Sequence, residues 1–175
     1  MNISLSEQNV LEKIINKYPT DPGVLICLLM QFHELKKGDA IHVKPGTPHS
    51  YVSGLAIEVM TSSDNVLRMG LTNKPIKVQE ALDLVLEHEV QVLSLPTNDG
   101  IHVYKPEANF ELIAIDNAKK ADISADFSCV LNVEGRTKLK VDSKEIELQI
   151  GQAALISMKS FEIEVNGHAF VARTV

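Results

Sequence analysis

The sequence lacks several features that would assign it to a class of protein at once. It has no tryptophan, only two cysteines, and 5% aromatic residues in all. Both cysteines lie in apolar runs, so we expect Cys27 and Cys129 to be small buried side chains in a protein of the reducing cytoplasm, without a disulfide framework. The longest apolar run, residues 24–30, is too short to cross a bilayer, and no basic leader precedes an apolar stretch. We therefore expect neither a membrane span nor a secretion signal.

Basic clusters are missing as well. The chain has 17 Lys and Arg against 23 Asp and Glu, which gives a net charge of −6. No run of basic residues forms the stripe that a phosphate backbone requires, so we expect no nucleic-acid partner. What the chain does have is 45% hydrophobic residues in a length of 175, enough to bury the core of a globular protein.

Two helices are predicted. Residues 4–18 have an apolar face, and Ser4 and Glu7 stand at the spacing of a capping box. Residues 78–88 have an apolar stripe typical of a helix that packs on a neighbouring element. His88 is interpreted as an ordinary residue at a helix end.

The remainder of the chain consists of short β-type runs separated by turn signals. This pattern predicts a mainly β fold of the jelly-roll or barrel kind. In the first part of the chain, strands are predicted at residues 24–32, 40–43, 50–52, 55–60 and 66–71. In the last fifty residues, turns are predicted at 134–135, 142–143, 151–152 and 166–167.

An internal repeat supports this fold class. When the chain is shifted by 113 residues, 38–59 aligns with 151–172 without a gap, and the identities fall at turns and at apolar strand positions. We interpret the two segments as copies of one β-unit, each of which must bury its apolar face. The first copy is preceded by a helix and a turn where the second is preceded by a hairpin, so the first unit is predicted to be incomplete.

The most informative stretch is GDAIHVKPGTPHSYVSGLAIEVMTSSDNVLRMGLTNK, residues 38–74. His49 follows a tight turn, where it is either a turn residue or a ligand at the mouth of a barrel. Arg68 alternates with apolar neighbours, and on an inner face its cation would attract an anion such as phosphate. Glu58 on such a face would need a cationic partner, for example Arg68 or Lys74.

This stretch resembles the catalytic part of type I mannose-6-phosphate isomerases, zinc enzymes of the cupin superfamily. Their pattern runs through P-H-A-Y, E-x-M, S-D-N and R-x-G-L-T to a lysine, and it matches here in order and spacing, with serine in place of alanine at position 50. The resemblance implies that His49 is a zinc ligand and Arg68 a catalytic residue. It also implies that Tyr51, Glu58 and Lys74 line the substrate pocket.

The resemblance is incomplete in one respect. Three further zinc ligands of the family, a Gln-x-His pair and a glutamate, have no counterpart in residues 1–23. We therefore expect a protein like the isomerases that interconvert mannose 6-phosphate and fructose 6-phosphate, yet inactive alone because its zinc site is incomplete. The predicted organisation is an N-terminal helix and turn (1–23), a partial catalytic cupin unit with a linker helix (24–95) and a C-terminal cupin-like unit (96–175).

Two alternatives remain open at this point. The chain could be a non-catalytic module that binds a sugar phosphate through Arg68 and Lys74. It could also be an assembly protein that forms a homodimer through exposed sheet edges.

Overall fold

A computed structural model describes residues 3–63, 65–86, 88–94, 100–117, 120–157 and 159–175. The chain divides into two compact units. Unit 1 comprises Met1–Ile57 and Ser63–Leu93, and unit 2 comprises Glu58–Ser62 and Ser94–Val175. The predicted boundary between residues 95 and 96 lies outside the described residues, and the predicted three-part organisation stays a prediction.

Unit 1 contains the helices. They are α1 (Leu5–Lys17), α2 (Gly23–Cys27) and α3 (Val78–Leu82), and strands β1 (Asp39–Ile41) and β2 (Val92–Ser94) pair in a two-stranded sheet. The predicted capping box of α1 is confirmed, because the Ser4 N–H donates to Glu7 Oε2 at 2.7 Å and the Glu7 N–H donates to Ser4 Oγ at 3.3 Å. No described helix has the length and hydropathy to cross a membrane.

Several strands predicted in unit 1 are absent from the described residues. The run at 24–32 was predicted as a strand, but its first part forms α2, because a short continuous apolar run fits a helix as well as a strand. The segments 50–52, 55–60 and 66–71 belong to no helix or strand where they are described. These segments have the residue pattern of strands, but a strand forms only where a neighbouring strand accepts and donates the hydrogen bonds of a ladder.

The linker helix is shorter than predicted. The pattern at 78–88 predicts three turns of helix, whereas α3 ends at Leu82 and residue 87 lies outside the described residues. The predicted repeat stays a prediction: at the offset of 113 residues, β1 shares two aligned positions with a strand of unit 2 at Ala153–Ile156. The second strand of the repeat does not form in the first copy.

Unit 2 is an antiparallel sheet system. Its strands are β3 (Ile101–Tyr104), β4 (Phe110–Asp116), β5 (Ala121–Ser124), β6 (Ser128–Val141), β7 (Lys144–Leu148), β8 (Ala153–Ile156) and β9 (Ser160–Thr174). The order is β3-β4-β9-β6-β7, with β5 also paired to β9 and β8 also paired to β6. The turns predicted at 142–143 and 151–152 are confirmed.

The core of unit 2 forms between the inner faces of these strands. Its fully buried side chains come mainly from β4, β6 and β9: they include Ile115, Val130, Leu139, Ile163 and Val171. Asn132 is also fully buried, and its amide donates to the carbonyls of Gly135 and Leu148 at 3.0 Å each. Thr137 donates its hydroxyl to Asn132 Oδ1 at 2.9 Å, so the polar group in the core is satisfied.

A β-bulge in β6 sets which of its side chains face the core. The register between β6 and β9 shifts between Asn132 and Glu134, which leaves Val133 as an extra residue in β6. Before the bulge the buried positions are even-numbered, at 128, 130 and 132, and after it they are odd-numbered, at 137 and 139. In β9 the buried positions stay odd-numbered throughout, so the bulge keeps both strands facing one core.

The turns predicted at 134–135 and 166–167 are wrong, because β6 and β9 are continuous there. Gly135 and Gly167 are directly opposite each other, with φ of 68° and 128°. A Cβ on Gly135 would collide with the carbonyl oxygen of Asn166, and a Cβ on Gly167 would collide with that of Glu134. Glycine is therefore needed for the close approach of two long strands rather than for reversing the chain.

The cysteines are free, but they are less buried than predicted. Cys129 is exposed, because it lies on the outward face of β6 between the inward Ser128 and Val130. Cys27 is half-buried, and partial burial together with the nearby Asp21 raises the pKa of its thiol.

Candidate functional site

The residue types at positions 44–47 favour the tight turn that precedes His49. The Thr47 N–H donates to the Lys44 carbonyl at 3.1 Å, and Gly46 at the third position has φ of 83°. Proline at the second position and a positive φ at the third are the requirements of a type II turn. The carbonyl of Gly46 accepts from the Leu86 N–H at 2.9 Å, which ties this turn to the segment after α3.

His49 is exposed, and one of its two ring nitrogens forms a hydrogen bond within the protein. Nδ1 lies 3.0 Å from the carbonyl oxygen of Thr47. Because a carbonyl can only accept, Nδ1 must carry the proton, and in the neutral ring Nε2 is left with a free lone pair. This is the arrangement in which proteins commonly present histidine to a metal ion. Tyr51 packs edge-on against the imidazole, with 5.8 Å between ring centroids.

Arg68 and Lys74 flank a second turn of unit 1. Arg68 is half-buried, and its carbonyl accepts from the N–H of Lys77, the residue that caps α3, at 3.4 Å. Lys74 is exposed, and its N–H donates to Thr72 Oγ1 at 3.1 Å. Both side chains can thus present a cation, although Arg68 is the more confined of the two.

Asp21 holds this second turn in place. Its two carboxylate oxygens accept from the N–H groups of Gly23 and Leu71, each at 2.7 Å. Gly23 and Gly70 come so close that a Cβ on Gly70 would lie 2.7 Å from the Gly23 Cα. The carboxylate therefore fixes the backbone three residues from both Arg68 and Lys74.

Sequence reasoning missed Asp21 and Thr47 as positioning residues. Asp21 stands in YPTDPG, which reads as a helix stop, and its partner Leu71 is fifty residues away in the chain. An aspartate followed by Pro-Gly is a signal for local backbone capping, but it does not reveal a distant partner. Thr47 acts through its carbonyl, and a backbone contact of this kind has no signature in residue type.

The predicted site residues are only partly brought together. His49 and Tyr51 are in contact, whereas Arg68 and Lys74 lie on the other turn of unit 1, and the exposed Glu58 belongs to unit 2. Among the described residues, no three His, Cys, Asp or Glu side chains are grouped so that they could hold a metal ion. His49 fits one ligand position, but these residues do not fit a zinc ion on their own, since zinc takes at least three protein ligands.

Unit 2 carries a second cluster of charged groups, which the sequence did not indicate. Glu111 is 5% exposed, and its carboxylate accepts from Arg173 Nη2 at 2.6 Å and Nε at 3.0 Å. Lys105 Nζ lies 3.0 Å from its other oxygen. Arg173 and Lys105 hold the pKa of Glu111 below its ordinary value. An open cavity of about 520 Å³ lies beside the cluster.

This cluster stabilises the end of the sheet rather than offering a binding site. Glu111 on β4 is directly opposite Arg173 on β9, and Arg173 Nη1 also donates to the carbonyl of Ser124 at 3.2 Å. The guanidinium is therefore occupied by protein groups on both sides. The cluster therefore ties β4, the end of β5 and β9 together.

We predict that Glu111→Gln lowers the free energy of unfolding of unit 2 by about 2 kcal/mol at pH 7, because charged hydrogen bonds are lost. The folded state lowers the pKa of Glu111, so its stabilisation is present above the ordinary value of 4.5 and is lost as pH falls below it. Urea unfolding of wild type and variant between pH 3 and 7 should show a difference that shrinks with acid. Glu145→Gln, at an exposed position, is the control. A difference that is constant with pH would contradict the assignment.

Comparison with known proteins relates the whole chain to one kind of enzyme. Mannose-6-phosphate isomerase of Escherichia coli strain K12 is 34% identical over 164 residues, which cover 89% of this chain and 42% of that protein. Mannose-6-phosphate isomerase 2 of Arabidopsis thaliana is 28% identical over 98% of this chain and 40% of its own length. The chain thus spans less than half the length of the curated relatives it matches. No protein-family model matches the chain.

Solved structures agree with these relatives. Mannose 6-phosphate isomerase from Salmonella typhimurium, bound to fructose 6-phosphate and zinc, superposes with a TM-score of 0.81 at 26% identity, over 99% of this chain and 46% of that chain. Other structures of the Salmonella enzyme contain alanine in place of a histidine, a glutamate and an arginine, which follow one another at separations of nine and ten residues.

The sequence relatives and the solved structures therefore confirm the resemblance carried by residues 38–74, and they extend it to both units. The chain is a homologue of the C-terminal part of mannose-6-phosphate isomerases.

Proposed function

We propose that this chain carries the C-terminal share of the active site of a mannose-6-phosphate isomerase. In this proposal His49 is one zinc ligand, Arg68 is the catalytic residue, and Tyr51, Glu58 and Lys74 contact the sugar phosphate. The observation that carries it is the hydrogen bond of His49: the carbonyl of Thr47 accepts from Nδ1–H, which leaves the lone pair of Nε2 available for a metal ion.

The separations along the chain support the same residues. His49, Glu58 and Arg68 are nine and ten positions apart, and they match in type and separation the histidine, glutamate and arginine exchanged for alanine in the Salmonella structures. Three residue types at two fixed separations rarely coincide by chance. The roles proposed for His49, Glu58 and Arg68 therefore rest on matched individual positions as well as on overall similarity.

The chemistry of the isomerisation suits these side chains. Interconversion of mannose 6-phosphate and fructose 6-phosphate moves a proton between C1 and C2 through an enediol-like intermediate, so negative charge develops on the sugar oxygens. A half-buried guanidinium such as that of Arg68 stabilises such charge better than a fully hydrated one. The exposed ammonium of Lys74 suits the phosphate group of the substrate, which is charged before and after the reaction.

The proposal is tested by interconversion of the two sugar phosphates. We expect the purified chain alone to retain no stoichiometric zinc and to show no turnover. Coexpressed with the N-terminal segment of the E. coli enzyme that it does not match, it should convert mannose 6-phosphate. Arg68→Ala in that mixture should lower kcat by about 10²–10³-fold, as removal of one charge-stabilising donor does. Arg136→Ala, at an exposed position of unit 2, is the matched control.

Two results would count against the proposed isomerase activity. A zinc-loaded mixture without conversion of mannose 6-phosphate would contradict it, and binding of fructose 6-phosphate without turnover would favour a non-catalytic sugar-phosphate module. Turnover by the chain alone would contradict the incomplete metal site instead.

We further propose a cytoplasmic location. The two free thiols, Cys27 and Cys129, support a reducing compartment, since neither forms a disulfide in the part of the chain that the structure describes. Fractionation of cells that express the tagged chain tests this location. Recovery in a membrane or secreted fraction would contradict it.

A further inference from the structure

The turn between Arg68 and Lys74 contains a strained backbone. Leu71, in the middle of this turn, has φ of 55°, in the left-handed region. The other described non-glycine residues with positive φ are Asn117 and Asp142, whose short polar side chains tolerate that region, whereas leucine adopts it only at a cost. Strain of this kind persists where the surrounding groups hold it, and it is common at functional sites.

The group that holds Leu71 is the carboxylate of Asp21. Oδ2 accepts from the Leu71 N–H at 2.7 Å, while Oδ1 accepts from the N–H of Gly23 at 2.7 Å. Each carboxylate oxygen therefore has a backbone donor of its own. Hydrogen bonds to an ionised carboxylate are stronger than those between neutral groups, so they can offset the cost of the strained conformation.

Asp21 is itself fixed between two helices. Its N–H donates to the carbonyl of Tyr18, the C-cap residue of α1, at 3.2 Å. Its carbonyl accepts from the N–H of Val24, in α2, at 3.1 Å. The side chain that holds the turn thus starts from a backbone that is hydrogen-bonded on both sides.

The turn is also closed at its base. The Arg68 carbonyl accepts from the N–H of Lys77, the N-cap residue of α3, at 3.4 Å. Within the turn, the Lys74 N–H donates to Thr72 Oγ1 at 3.1 Å. The backbone on both sides of Leu71 is therefore held by hydrogen bonds, and the cationic side chains three residues before and after it start from fixed positions.

We propose that Asp21 is a positioning residue for sugar-phosphate binding. It holds Leu71 in the left-handed conformation, and this conformation arranges the cations of Arg68 and Lys74 for one anion. The inference rests on the proposed function for the ligand, fructose 6-phosphate. It adds that affinity depends on the population of one conformation of the turn, because the apparent dissociation constant rises by the factor by which that population falls.

The test is titration of the full chain with fructose 6-phosphate, followed by nuclear magnetic resonance. Asp21→Asn should raise the dissociation constant by about tenfold, because an amide offers one acceptor oxygen where the carboxylate offers two, and one backbone N–H loses its partner. Asp83→Asn is the matched control, since Asp83 is an exposed aspartate of the same unit. The control should leave the dissociation constant unchanged.

A second substitution separates positioning from general damage. Glycine adopts a positive φ without the cost that leucine has, so adding Leu71→Gly to Asp21→Asn should lower the dissociation constant again by about threefold. If Asp21 only stabilised the fold, loss of the half-buried leucine side chain would instead weaken binding further. Circular dichroism of each variant shows whether the chain is folded.

Three results would overturn the positioning role. They are an unchanged dissociation constant in Asp21→Asn, further weakening when Leu71→Gly is added, and an unfolded Asp21→Asn chain that Leu71→Gly does not restore. Lys74→Ala distinguishes this inference from the proposed function. If Lys74→Ala weakens binding and Asp21→Asn does not, the positioning role alone fails. If the unaltered chain does not bind fructose 6-phosphate, the sugar-phosphate contacts of the proposed function fail, and the positioning role fails with them.

Discussion

Gly135→Ala is expected to lower the free energy of unfolding of unit 2 by at least about 4 kcal/mol, a loss that few single substitutions produce. The added methyl group would collide with the carbonyl oxygen of Asn166 in the opposite strand. It would also occupy a backbone with φ of 68°, which alanine adopts only at a cost. Neither β6 nor β9 can move away, since each forms ladders on both sides.

The effect should be measured as the midpoint and slope of urea unfolding, followed by far-ultraviolet circular dichroism. Gly151→Ala is the matched control. Gly151 also has a positive φ, of 79°, but a Cβ there would have no atom within 4 Å, so only the backbone cost of about 1 kcal/mol should appear. If the two variants were equally stable, close approach of the strands would not be the reason for glycine at 135.

His49→Ala should abolish zinc binding by the complex of this chain with the N-terminal segment of the E. coli enzyme. Loss of an outer hydrogen-bond partner of a metal ligand lowers metal affinity by about 10–100-fold, and loss of the ligand itself should exceed the upper end of that range. Zinc content after dialysis is the primary measurement. We expect it to fall from about one ion for each complex to a trace, and isomerase activity should fall with it.

The control for His49→Ala is His88→Ala. His88 is also exposed and also belongs to unit 1, so general damage to the unit would affect both variants. Coelution of the chain with the N-terminal segment in size-exclusion chromatography should be unchanged in either variant, which separates metal binding from association. Full zinc content in His49→Ala would exclude His49 as a ligand.

Local signals in the sequence predicted local structure well. The capping box of α1 needs only Ser4 and Glu7, and both of its hydrogen bonds form. In unit 2 most of the β-type runs form strands, because the chain contains the partner strands with which they pair. In unit 1 the same kind of pattern at 50–52 and 66–71 did not give strands, since the hydrogen bonds of a ladder depend on residues outside the segment.

Glycine was the least predictable residue. Gly135 and Gly151 look alike in the sequence, and both have positive φ, yet one lies within a continuous strand and the other in a turn. Only the strand that lies opposite decides between these outcomes. The candidate site shows the same limit: the motif identified His49 and Arg68, whereas Thr47 and Asp21 hold the site through backbone atoms that no motif records.

The bulge at Val133 also determines where the chain can change in length. Removing Val133 would leave four residue steps in each strand between the pairs Asn132–Ala169 and Thr137–Val165, so Thr137 and Leu139 would still face the core of unit 2. Removing Lys138 instead would turn Leu139 outward and Lys140 toward that core. One residue added at the turn of Asp142 and Ser143 would only lengthen a hairpin loop. Single-residue insertions and deletions among homologues should therefore gather at the hairpin ends, loss of the bulge residue should be tolerated, and the rest of β6 should keep its length.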